Sequence, residues 1–471
     1  MGKLKTFLSN VTYSLTANTL NLVVSAATSI LIPFILGDKI DQYGYFQIYI
    51  FYVAYIGFFH FGMCDGALLI EGGKEYQDLD KSTYSFQYHF LAAGEFLIST
   101  TIVLALVVLN KEIDYIFIGI AFGANLIVYL PRNLLAYLLQ SSNRIKENAL
   151  ITIIGRSVYL AGVLILWVLQ YTSYQLFIVA DIVGKICALI YAVTQCKDIV
   201  FSRPAPWKKG IISVKENIIA GIKLMFASVS SMIITGMVRF AIQQQWDVTT
   251  YGKISLTLSI TNLVLTFISA MAIVLYPTLR RVSADRAITL YPAIRDILMS
   301  LLLVTLVFCY PLQIIMVKIL PQYRDSLMYL PILFPVCIYS AKVTLLVQTY
   351  MQVFRMEQKI LKVNLVAIVI SLLNTLISVY VLHSLTMAIF SILITSAFRS
   401  TLAEYVLSKQ IDIKIWKDSV IESLYVATYV CISYFVGMKY GMLVIIPLYV
   451  LYFISKTKSI SNSIKLIKGE Q

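Results

Sequence analysis

Apolar residues run along this chain in long blocks, with neither strict alternation nor a narrow helical stripe. The blocks cover roughly residues 11–36, 44–70, 84–109, 115–140, 148–170, 174–195, 217–243, 250–277, 296–317, 326–352, 363–382, 385–408, 419–437 and 440–455. Most exceed about 18 residues, enough for a helix to cross a hydrocarbon core of about 30 Å. They lack the period-two alternation of barrel strands. In lipid, that leaves the helix as the structure able to satisfy its own backbone. The pattern predicts an all-α integral membrane protein with about 14 transmembrane helices. The first block is too long for the core of a signal peptide, so it is expected to remain as a spanning helix. The opening MGKLKT fits a myristoylation pattern through Gly2 and Thr6, but a polytopic protein needs no lipid anchor.

Composition agrees. Hydrophobic residues make up 59% of the 471 positions and charged residues 13%, about half the share in soluble domains. The formal net charge of +14 would suggest nucleic acid in a soluble protein. Here it follows topology. With the N-terminus placed in the cytoplasm, inside segments hold about 25 Lys and Arg and outside loops about 5. That is the positive-inside bias, and it predicts both termini in the cytoplasm. No nucleic-acid partner is implied.

The largest loop, CKDIVFSRPAPWKKGIISVKE, lies near the middle of the chain. It suggests an N-terminal six-helix lobe over 1–195, a cytoplasmic linker over 196–216 and a C-terminal six-helix lobe over 217–408. Residues 409–471 then add two helices and a basic tail. A faint repeat supports the division. Tyr43-Gly44 opens one block and Tyr251-Gly252 another, and Arg144 has a counterpart in Arg355. Parallel repeats about an axis along the membrane normal are a transporter plan, with the site near the midplane.

Charges inside the blocks carry the functional signal. The stretch ANLIVYLPRNLLAYLLQ sets Pro131 and Arg132 side by side in an apolar helix. Arg156, Lys185, Lys342 and Arg399 also lie within blocks, as do Lys223, Arg239 and Lys253. A cation at the centre of a membrane helix costs about 2.5–3.5 kcal/mol on insertion scales. Lys223, Lys253 and Arg239 lie near enough to block ends to snorkel. Asp181 and Lys185 stand four apart on one helix face and could neutralise each other. Arg132, Arg156, Lys342 and Arg399 are too deep for easy snorkelling and are expected to line a shared aqueous cavity. Pro131 fits such a wall, since a bend is tolerated where water or protein satisfies the freed backbone group. The candidate substrate-binding residues are Arg132, Arg156, Lys342, Arg399, Arg239 and Lys185. An excess of fixed cations favours an anionic cargo, and guanidinium forks match phosphate oxygens. Asp65, Glu95 and Asp181 are candidates for coupling to a proton or sodium ion.

The run LIPFILGDKIDQYGYFQIYIFYVAYIGFFHFGMCDGALL resembles the opening of bacterial polysaccharide-biosynthesis and O-antigen flippases, through Pro33, Gly37, Tyr43, Gly44, Gly62, Asp65 and Gly66. The stretch from Gly221 to Ser283 resembles that family's seventh and eighth helices. The family often ends helix 7 with an Asp-Arg pair, where this chain has Val238-Arg239. These flippases belong to the multidrug/oligosaccharidyl-lipid/polysaccharide (MOP) exporter superfamily. The resemblance implies two six-helix lobes around a central cavity, two further helices and alternating access. It implies an undecaprenyl-pyrophosphate-linked oligosaccharide cargo, an O-antigen or capsule repeat unit, moved from the cytoplasmic to the periplasmic leaflet of the inner membrane. Other polysaccharide-assembly membrane proteins are the partners it suggests, besides membrane lipids.

Two other functions suit a polytopic basic chain. A cation-coupled multidrug exporter of the same superfamily should carry acids in its cavity; Asp65 and Glu95 keep that alternative open. A glycan-processing enzyme should show a sizeable external loop and a catalytic set. The outside loops are short, and His60, His89 and His383 make no spacing with acids that suggests one. There is no Gly-rich phosphate loop or metal motif, and the six cysteines form no CxxC pair. No enzyme activity and no resident cofactor are expected.

Overall fold

A computed structural model describes residues 2–270 and 284–468. Its regular secondary structure, among the described residues, is helical. Among the described residues, ten helices are long and apolar enough to cross a membrane, and eleven if one bent pair counts as a span. Helices also occupy the three remaining expected positions, at Trp207–Gln245, Val248–Ala270 and Trp416–Phe435. The chain is a multi-pass α-helical membrane protein. The end of the block expected at 250–277 lies outside the described residues beyond Ala270, as do Arg280 and Arg281.

The chain divides into two compact units, residues 1–229 and 230–471. The division falls inside the Trp207–Gln245 helix. That helix begins ten residues before the expected block. The segment before it, expected as a linker, is built into the first unit. Ile199, Val200 and Ala205 are buried. Ser85 Oγ donates to the Ser202 carbonyl at 2.9 Å, and the Ala205 amide donates to the Ser82 carbonyl at 2.9 Å.

In the first unit, Lys81–Val108 packs along Ile113–Ser141, and Ile145–Val168 lies between Gly2–Leu36 and Tyr174–Gln195. Small residues allow the closest approaches, as is common between membrane helices. A Cβ on Gly184 would stand 2.6 Å from the Gly155 carbonyl oxygen, and one on Gly66 1.8 Å from that of Asn217. The block expected as one span over 44–70 is broken. Ile40–Ala54 passes through a 3-10 turn at Ile56–His60 into Met63–Ile70, with a bend of 55°. The cause is local: Phe61 and Gly62 have φ of 50° and 83°, left-handed values that end a right-handed helix. Pro131, by contrast, sits inside one continuous helix, Ile113–Ser141.

In the second unit, Ala284–Ile319 packs on Met438–Lys468, Glu357–Thr375 on Leu385–Ile411, and Leu330–Ala341 touches both Val248–Ala270 and Leu385–Ile411. Leu330–Ala341 continues through a π turn at Lys342–Gln348 into Thr349–Val353. This composite helix is the core of its unit, with Leu333, Cys337, Ala341 and Leu346 fully buried. The two halves repeat a helix-ending device. The amide of Arg144 donates to the Leu139 carbonyl at 2.8 Å, and that of Met356 to the Met351 carbonyl at 2.7 Å. The preceding residues, Asn143 and Arg355, are left-handed with φ of 59° and 54°, as a Schellman ending requires.

Candidate functional site

Three helices of the first unit bring charge together at membrane depth. Ile113–Ser141 contributes Asn125, Tyr129 and Arg132; Ile145–Val168 contributes Arg156; Tyr174–Gln195 contributes Asp181 and Lys185. Asp181 and Lys185 are one turn apart, and their side chains meet at 2.6 Å. Lys185 Nζ also donates to Asn125 Oδ1 at 2.6 Å. Asn125 Nδ2 donates to the Tyr49 hydroxyl at 2.8 Å, and that hydroxyl donates to Asp181 Oδ2 at 2.5 Å. The ring Tyr49–Asp181–Lys185–Asn125 thus closes on itself. Asn125 and Asp181 are buried, so each of these bonds forms with little competition from solvent.

Arg132 and Arg156 flank this ring. The Arg132 guanidinium lies 4.4 Å from the centroid of the Tyr129 ring, a cation–π arrangement. Its Nε is buried with no hydrogen-bond partner among the described residues. Arg132 interacts electrostatically with both Arg156 and Asp181, and Lys185 with both arginines. Three cations therefore share one carboxylate. Asp181 answers Lys185 by direct contact, which leaves the two guanidinium charges without a contacting acid among the described residues. Such an arrangement favours a doubly charged anion over a cation.

The second unit balances its charges differently. Arg295 Nε meets Glu404 Oε1 at 2.6 Å, and Arg295 Nη1 meets Glu422 Oε1 at 2.7 Å. Lys342 contacts Glu404 Oε2, and it lies 3.0 Å from Glu422 Oε2. Ser419 Oγ donates to Glu404 Oε2 at 2.5 Å, and the Tyr291 hydroxyl to Glu404 Oε1 at 3.3 Å. Two cations and two carboxylates, all buried, make a neutral quartet. It joins Ala284–Ile319, the π turn at Lys342, Leu385–Ile411 and Trp416–Phe435. Lys342 was expected at a water-filled wall; two carboxylates relieve its charge instead. In the sequence Arg295 stands just before the apolar block at 296–317, outside the expected span. The structure sets it twelve residues into the Ala284–Ile319 helix.

The other expected residues are dispersed. Arg399 Nε donates to Asn364 Oδ1 at 3.0 Å, and Asn364 Nδ2 donates to Ser230 Oγ at 2.9 Å. Arg239 reaches Ser255 Oγ at 3.3 Å and lies 5.9 Å from the Tyr251 ring. Asp65 Oδ2 stands 3.8 Å from His60 Nε2. Glu95 is 1% exposed, and its Oε2 has no hydrogen-bond partner among the described residues. Lys253 lies 3.6 Å from Asp325. Among the described residues no cluster of three His, Cys, Asp or Glu could hold a metal ion.

Outside the membrane-spanning segments, ion pairs pin the loops of the first unit. Lys209 Nζ bonds Asp80 Oδ2 at 2.6 Å. That bond, with those from Thr83, holds the Asp80 carboxyl at about 2 despite partial burial. Burial raises the Asp198 carboxyl, but bonds from Lys81 and Tyr76 outweigh it and keep the group below its ordinary value.

The chain matches no protein-family model. It matches no curated protein by sequence. Its fold does match solved structures. An inward-facing multidrug resistance MATE family transporter of the MOP superfamily superposes with a TM-score of 0.63 at 12% identity, covering 84% of this chain and 98% of that one. The lipid II flippase MurJ, in an inward closed conformation, gives 0.61 at 13% identity, covering 96% and 100%. A Vibrio cholerae MATE transporter gives 0.57 at 12% identity, covering 87% and 97%. The chain has the fold shared by these MOP-superfamily transporters.

Proposed function

We propose that this protein is a flippase. It carries an oligosaccharide linked to undecaprenyl pyrophosphate from the cytoplasmic to the periplasmic leaflet of the bacterial inner membrane by alternating access. The observation that carries the reading is the pair of guanidinium groups, Arg132 and Arg156, set beside an already neutralised Asp181–Lys185 pair. The pyrophosphate exchanges hydration for guanidinium contacts, and the rigid planar fork of each arginine matches its oxygens. The prenyl tail stays in lipid. Both termini lie in the cytoplasm, as the loop charges imply. The MOP-type fold, shared with a lipid II flippase, supports a lipid-linked cargo.

A second reading, a cation-coupled multidrug exporter, is favoured by one observation: the buried acid Glu95, whose Oε2 has no hydrogen-bond partner among the described residues. Genetic complementation separates the two. With the gene deleted, wild type is expected to restore surface glycan, while Arg132→Ala Arg156→Ala leaves lipid-linked precursor in the cytoplasmic leaflet. Normal glycan with the double variant would overturn the site. Efflux of organic cations without any change in precursor would favour the exporter.

A further inference from the structure

We infer that the cleft between Leu385–Ile411 and Trp416–Phe435 holds an anionic phospholipid, with an acyl chain in the cleft and the phosphate beside Lys409 and Lys417. The inference goes beyond the proposed cargo site: it lies within the second unit and concerns a lipid bound to the protein, not the passenger.

The argument starts from the walls. The cleft has a volume of about 450 Å³, with Thr401, Tyr405 and Ser408 on one side and Trp416, Val420 and Ala427 on the other. Those spacings are whole helical turns, so each set shares one face of its helix. Half of this lining is polar by residue type, but its hydroxyls are engaged. Thr401 Oγ1 donates to the Ala397 carbonyl at 2.9 Å, and Ser408 Oγ to the Tyr405 carbonyl at 2.9 Å. Ser419, which also lines the cleft, donates to Glu404 Oε2 at 2.5 Å. With these protons engaged, the walls offer mainly methyl, methylene and ring carbon. They suit a hydrocarbon chain better than a sugar.

Length agrees. From Trp416 to Ala427 the wall runs for about 16 Å, at about 1.5 Å per residue. A hydrocarbon core of about 30 Å gives each leaflet about 15 Å. The cleft therefore matches the chain region of a single leaflet.

Charge marks one end. Lys409 follows Tyr405 by four residues and Lys417 precedes Val420 by three, so both stand over the cleft's faces. Lys414 lies in the turn between the helices, and all three lysines are exposed. Of the nearby acids, Asp412 is exposed in the turn, and Asp418 is answered by Lys456 at 2.7 Å. The turn thus keeps an excess of positive charge. A cation near a bilayer surface strengthens binding of anionic lipid about fivefold. Trp416 stands at the same end and is 65% exposed, where an amphipathic ring suits the headgroup boundary. Trp207, which opens the helix after the first lobe, differs. Its ring meets those of Phe86 and Phe90 at 5.4 and 6.3 Å, whereas Trp416 borders the open cleft.

Photolabelling of the full-length protein tests this. The protein is placed in phosphatidylcholine nanodiscs that carry a small fraction of phosphatidylglycerol with a diazirine in its acyl chain. Nanodiscs expose both faces, so the result does not depend on which leaflet the cleft faces. Mass spectrometry is expected to find label in residues 401–427, several-fold above that from a diazirine phosphatidylcholine. Lys409→Gln Lys417→Gln should lower the phosphatidylglycerol signal about tenfold or more. Ala427→Phe, which sets a ring in the cleft, should lower it while the protein stays monodisperse. Equal labelling by the two headgroups, or a signal unchanged in both variants, would overturn the inference. Displacement of the label by equimolar undecaprenyl phosphate, but not by unlabelled phosphatidylglycerol, would also overturn it, because the cleft would then hold a prenyl chain.

Discussion

Lys185 Nζ sits 2.6 Å from Asp181 Oδ2 and 2.6 Å from Asn125 Oδ1. A half-buried lysine so engaged is spoken for, and it separates the roles of the cations in the first unit. Lys185 secures the ring of Tyr49, Asn125 and Asp181; Arg132 and Arg156 supply the charge that no contacting acid cancels. Lys185→Met is expected to lower thermal stability, because it strands Asp181 in the interior at a cost of about 3–5 kcal/mol. Melting in detergent measures this. The double variant Asp181→Asn Lys185→Met should recover much of the loss, which a double-mutant cycle reads as coupling.

The quartet of the second unit gives a parallel expectation. Glu422→Ala leaves Arg295 and Lys342 with a single shared acid and should cost about 3–5 kcal/mol. Lys342→Met Glu404→Met removes one charge of each sign and leaves Arg295 bonded to Glu422, so its cost should be well below the sum of the single changes. Unfolding followed by tyrosine fluorescence would check it, and strict additivity would contradict the quartet.

Close backbone contact makes a third prediction. Gly66→Ala places a Cβ 1.8 Å from the Asn217 carbonyl oxygen, while Gly94→Ala meets nothing within 4 Å. The first variant should be recovered poorly as a monodisperse protein, and the second should behave as wild type on size exclusion.

The Asp80–Lys209 contact predicts a pH dependence. Asp80 titrates near 2 when folded, below its ordinary value of about 3.9. A depressed carboxyl stabilises above its unfolded value and loses that contribution as pH falls through the folded one. Hydrogen exchange of residues 201–210 should therefore stay protected at neutral pH and quicken only in strong acid. In Asp80→Asn the protection should be lower and insensitive to pH over that window.

The spanning helices were legible because hydrophobic blocks follow directly from lipid as the solvent. The break at Phe61-Gly62 was less so: it depends on two left-handed residues inside an otherwise apolar run. Asp181 with Lys185 could be read from spacing, since i and i+4 share a helix face. Arg295 could not, because its partners Glu404 and Glu422 are more than a hundred residues away. The signal lay in those two acids, neither of which has a cation three or four residues away on its own helix to pair with. Glu95 presents the opposite case. Its place in the membrane was visible, while its Oε2, unpartnered among the described residues, needed coordinates.

The most direct test of the central claim is flipping in liposomes that carry undecaprenyl-pyrophosphate-linked oligosaccharide as the sole candidate cargo. Purified wild type should expose the inner-leaflet lipid to an external glycan-cleaving probe, and Arg132→Ala Arg156→Ala should reduce that exposure to the level of empty liposomes while remaining folded. Equal exposure by wild type and the double variant would contradict the claim that these two arginines carry the passenger's phosphates.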